Sequence, residues 1–68
     1  MKIYAKIGTH PSTTIRVIKQ RRSPKQGENF LGVDLSASKS SQKEETYFVY
    51  SIAELETGGP YIFFVERL

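Results

Sequence analysis

No cysteine occurs among the 68 residues. That excludes disulfide scaffolds, thiolate metal sites and cysteine nucleophiles. A secreted domain this small usually needs covalent staples, so a reducing cytoplasm is the expected setting. Long apolar runs are missing as well. No stretch approaches the ~20 residues that cross a bilayer as a helix. Met1–Lys6 lacks the apolar segment of a signal peptide. No membrane association is expected, and the initial Met reads as the start of a complete small protein.

Catalytic vocabulary is equally sparse. The one histidine, His10, precedes Pro11 in a turn with no flanking acid or nucleophile motif. Glu44 and Glu45 are adjacent, so on a strand they point to opposite faces. No metal-ligand spacing, phosphate loop or glycine fingerprint is present. The reading is a non-enzymatic chain with no metal and no cofactor.

The most informative absence is acidic. Residues 1–25 contain no Asp or Glu, yet they carry Lys2, Lys6, Arg16, Lys19, Arg21, Arg22 and Lys25. That segment is therefore +7, and residues 26–68, with three cations and seven acids, are −4. Such asymmetry points to a polyanionic partner or a charged protein interface.

What is present is β pattern. Lys2–Ile7 alternates, with Ile3, Ala5 and Ile7 on one face and Lys2, Tyr4 and Lys6 on the other. Gly8–Ser12 reads as a turn. Thr13–Gln20 is rich in β-branched residues and predicts a second strand, Arg16 outward. Arg21–Glu28, with Pro24 and Gly27, reads as a basic loop. Asn29–Ser36 predicts a third strand with Leu31, Val33 and Leu35 inward and Asp34 outward. Ala37–Glu45 is Ser/Lys-rich and reads as a loop without helix. Thr46–Tyr50 predicts the fourth strand and Tyr61–Val65 the fifth. Between them, Ser51-Ile52-Ala53-Glu54 has the form of a capping box, which predicts one helical turn.

The fold class is therefore all-β: one domain over residues 1–68, a five-stranded antiparallel barrel or bent sheet with one helical turn before the last strand. This layout resembles SH3-like barrels, a likeness of architecture that implies no particular partner. An open sheet that dimerises through its last strand is the alternative. A chain this short buries only roughly 60% of its unfolded surface, so a partner or self-association would add needed burial.

Two binding surfaces follow. Lys2, Tyr4, Lys6 and Arg16, joined by Lys19, Arg21, Arg22 and Lys25, suit phosphate contacts around a stacked base, which points to DNA or RNA. The aromatics of the C-terminal strands exceed what the core needs. Tyr47, Tyr50, Tyr61 and Phe63 are the expected interface for a protein partner or a homodimer.

Overall fold

Alternation sets the inside of a barrel from the first strand onward. In the computed structural model, which describes residues 1–68, β1 (Lys2–Ile7) buries Ile3, Ala5 and Ile7 and turns Lys2, Tyr4 and Lys6 outward. β2 (Ser12–Ile18) buries Thr13, Ile15 and Val17. β3 (Asn29–Asp34), β4 (Glu45–Glu54) and β5 (Tyr61–Arg67) complete a closed barrel in sequence order. The four successive pairs are antiparallel, and β5 closes on β1 in parallel, Ala5 beside Phe63 and Ile7 beside Val65. An odd number of up-and-down strands returns the fifth in the direction of the first, so a parallel closing pair is unavoidable. Ile3, Ala5, Ile7, Ile15, Val17, Phe30, Tyr47, Val49, Phe63 and Val65 form one core.

β3 runs in the opposite phase to the one its sequence predicts. Phe30 and Gly32 are buried, whereas Leu31 and Val33 lie half-buried on the outside. One aromatic outweighs the aliphatic row because Phe30 stacks on Tyr47 in the core, with ring centroids 5.4 Å apart. Gly32 faces the same interior and leaves room: a Cβ there would sit 2.6 Å from Ile15 Cγ2. Asp34, expected on the polar face, instead stands at the barrel mouth. It accepts hydrogen bonds from Thr13 Oγ1 at 3.0 Å, from Ser36 N at 2.9 Å and from Ser36 Oγ at 2.8 Å.

The helical turn is also displaced. A single 3₁₀ turn at Lys39–Ser41 lies between β3 and β4, in the segment read as free of helix, with no side-chain cap. Ser51–Glu54 belongs to β4 and pairs with Phe64–Tyr61. Nucleating one isolated turn is costly, and four ladder positions against β5 offer more than a single cap. Glu54 accepts from Gly58 N at 2.8 Å, so it closes a hairpin turn rather than a helix. A bulge at Tyr50 resets the phase, and Ile52 then shares the inner side with Phe63.

The two mouths of the barrel are closed differently. At one, Pro24 of the Arg21–Glu28 loop is fully buried as a plug. The loop is pinned by Gly27 N donating to Val49 O at 2.7 Å and Val49 N donating to Glu28 O at 2.9 Å. At the other, Arg67 bonds Glu45 at 2.9 Å through Nε, and Tyr47 donates to the same carboxylate at 3.1 Å. There is no helix long and apolar enough to cross a membrane.

Candidate nucleic-acid interface

The β1–β2 register assembles the outer basic face. Lys2 lies opposite Arg16, Tyr4 opposite Thr14 and Lys6 opposite Ser12. All six are on outward positions of the two strands, and Tyr4 is 44% exposed between its lysines. None of Lys2, Lys6 or Arg16 takes part in the three ion pairs of the molecule, which join Lys19 to Glu44, Arg22 to Glu28 and Arg67 to Glu45. The face extends onto β5, where Lys6 neighbours Phe64. Phe64 in turn meets the exposed Tyr50 ring at 6.2 Å between centroids. This aromatic pair beside Lys6 was not legible from spacing, because it depends on the bulge in β4 and on the parallel closure.

The basic loop is more ordered and less free than its composition implies. Arg22 donates from Nη1 and Nη2 to the two Glu28 carboxylate oxygens, at 2.8 and 3.0 Å. Lys25 N donates to the same carboxylate at 2.8 Å. The Arg22 hydrogen bond and then the Lys25 backbone bond hold the Glu28 carboxyl down to about 2. Arg22 is correspondingly raised by its bond to Glu28 and by that charge. A bidentate fork of this kind fixes the loop geometry, and it also occupies a cation assigned to phosphate by the sequence. Lys19 takes a left-handed backbone (φ 64°) where the chain leaves β2, and its amine lies 3.9 Å from Glu44. Arg21 and Lys25 remain exposed and unpaired. Five of the eight residues of the expected site, Lys2, Lys6, Arg16, Arg21 and Lys25, are thus free cations, Tyr4 is an exposed ring, and Lys19 and Arg22 carry acidic partners.

The expected aromatic interface divides in two. Tyr50 and Tyr61 are exposed. Tyr47 and Phe63 are core residues, because they share the inward phase of Val49 and Val65, and only an edge of Phe63 reaches the surface.

The opposite mouth was missed by sequence reasoning. Its cleft is lined by His10, Ser12, Thr13, Asp34, Ser36 and Arg67 among others. Partial burial opposes the Asp34 charge, but the Ser36 and Thr13 hydrogen bonds and the Arg67 charge outweigh it and lower its pKa. Burial raises the Tyr47 phenol, helped by its bond to Glu45. Thr13 and Ser36 satisfy Asp34, Tyr47 and Arg67 satisfy Glu45, and no group of three or more His, Cys, Asp or Glu side chains is placed to hold a metal ion. Comparison with protein-family models, with curated proteins and with solved structures gives no match.

Proposed function

We propose that the chain is a small nucleic-acid-binding protein of the cytoplasm, non-enzymatic and tolerant of sequence. One observation carries this reading: Lys2, Lys6 and Arg16 surround the exposed Tyr4 on a single outer face with no carboxylate paired to any of them. Unpaired lysine and arginine neutralise phosphates and release counterions, and an aromatic among them offers a face on which any base stacks. Arg21 and Lys25 add two further free cations at the plugged mouth.

A salt titration of fluorescence anisotropy with labelled single-stranded and duplex oligonucleotides tests it. If about four cations touch phosphates, log K falls against log salt with a slope of about −3 to −4. Arg16→Ala flattens the slope by about one and weakens all sequences alike. Absence of binding to any oligonucleotide at low salt refutes the reading.

A second reading, a protein-interaction module, inhibitor or homodimer, is favoured by the exposed Tyr50 ring packed on Phe64 and by the exposed Tyr61. Its signature is concentration-dependent sedimentation, reversed by Tyr50→Lys.

A further inference from the structure

We infer that the slot between the Arg22–Gln26 loop and the β4–β5 hairpin holds one unpaired nucleobase, which makes the binding site one for single strands. The inference rests on the nucleic-acid reading above and deepens it. The slot has Pro24 on its loop side and Ile52, Tyr61 and Phe63 on its hairpin side, and its exposed surface is mainly apolar. Pro24 and Phe63 are buried and fixed, whereas Tyr61 stands 54% exposed at the opening. The loop that forms one wall is held in shape by the Arg22–Glu28 fork.

The rim supplies the rest of a nucleotide site. Lys25 lines the slot without an ion-pair partner, and Ser23 and Gln26 are the polar residues beside it. An apolar slot takes the face of a base, a free cation beside it takes the adjoining phosphate, and hydroxyl and amide groups suit base edges. A base paired and stacked within a duplex cannot enter such a slot, so the geometry selects unpaired strands. The cations beside the slot and on the β1–β2 face have the same sign, which suits one polyanion running past both. An acidic peptide inserting an apolar side chain is the competing occupant. Unpaired cations both beside the slot and along the β1–β2 face suit a chain with a charge on every unit, as a nucleic-acid strand has, and this favours the nucleotide.

The test measures anisotropy at low salt with a labelled oligodeoxythymidylate, the same strand annealed to its complement, and an abasic strand of equal length. The wild-type protein is expected to bind the thymidylate about tenfold more tightly than either of the others, within the range of one stacked base. Tyr61→Ala reduces that margin to the part Tyr4 supplies and leaves duplex affinity unchanged, and Tyr61→Phe retains it in full. Tyr61 is mostly exposed, so these variants keep the barrel, as circular dichroism will verify. A base analogue, 2-aminopurine, placed in the thymidylate is quenched by the wild type and less by Tyr61→Ala. A wild-type protein that binds all three probes equally, or a Tyr61→Ala variant that keeps the whole margin, overturns the slot while salt-dependent binding leaves the proposed function standing. Binding of polyglutamate that Tyr61→Ala abolishes, with no margin among the oligonucleotides, assigns the slot to a protein and overturns the inference. Failure of every oligonucleotide to bind removes both.

Discussion

Gly32→Ala separates the two possible phases of β3 by the sign of its effect on stability. With Leu31 and Val33 inward, as their alternation predicts, residue 32 would face solvent. Alanine there would stabilise by about 0.5–1 kcal/mol, because glycine loses more freedom on folding. In the observed phase the new Cβ lies 2.6 Å from Ile15 Cγ2, 3.1 Å from Phe30 Cε2 and 3.2 Å from the Arg16 carbonyl oxygen. Ile15 is fully buried and stiff at χ1, and a backbone carbonyl in a ladder has little room to yield. Overpacking of this kind costs about 1–3 kcal/mol. Set against the entropic gain, the net loss is about 1–2 kcal/mol, which lowers the melting temperature of a domain this size by roughly 5–15 °C. Thermal unfolding followed by circular dichroism at 215–220 nm, or urea unfolding, reads it directly. Ile15→Leu removes Cγ2, so in the Gly32→Ala background it should restore part of the loss, although alone it costs up to about 1.5 kcal/mol. A rise in melting temperature on Gly32→Ala would refute the inward placement of Gly32 and with it the Phe30–Tyr47 stack.

Acid should destabilise the fold between the ordinary carboxylate range and about pH 2. Glu28, about 2 when folded against an ordinary 4.5, and Asp34, also depressed, stabilise above their unfolded values and lose that contribution as pH falls; Glu28→Gln should flatten this limb in a pH series of urea midpoints. Alkali should act through Tyr47, whose raised pKa stabilises below its unfolded value and loses that contribution as pH rises through the folded value; Tyr47→Phe should blunt the alkaline limb. Ser51→Ala should change stability by less than about 0.5 kcal/mol, since it removes no cap; a loss near 1 kcal/mol would restore the helical turn. Pairwise replacement of Arg21 and Lys25 by Ala should weaken oligonucleotide binding more than Arg22→Ala on the salt slope, because Arg22 is already engaged by Glu28.

Strand number, strand positions along the chain and the phases of β1 and β2 were legible because each offers an apolar row, whereas the pairing order was not. β3 was not, because Leu31, Val33 and Leu35 form the longer row and Phe30 prevails only through a partner seventeen residues away, Tyr47. The Ser51–Glu54 motif satisfied a local rule for helix starts that long-range pairing with β5 overrode. For the candidate site, Lys2, Tyr4, Lys6 and Arg16 were legible as one face, since hairpin register follows from alternation. Neutralisation of Arg22 by Glu28 was not, because it requires the loop to double back six residues onto itself around Pro24.

The parallel seam between β1 and β5 has a consequence for how the chain folds. Every other seam joins strands consecutive in sequence, and each can zip from the segment that links its two strands. The seam pairing Ala5 with Phe63 has no such starting point. It brings together residues from opposite ends of the sequence, and loop-closure entropy must be met before any of its contacts form. Until then β1 and β5 are both sheet edges, and Lys2, Lys6 and Glu66 put charge along them in the manner that discourages edge-to-edge association. Closure is thus the rate-limiting event to be sought in refolding kinetics, and the lysines that make the outer face basic also guard an unfinished sheet.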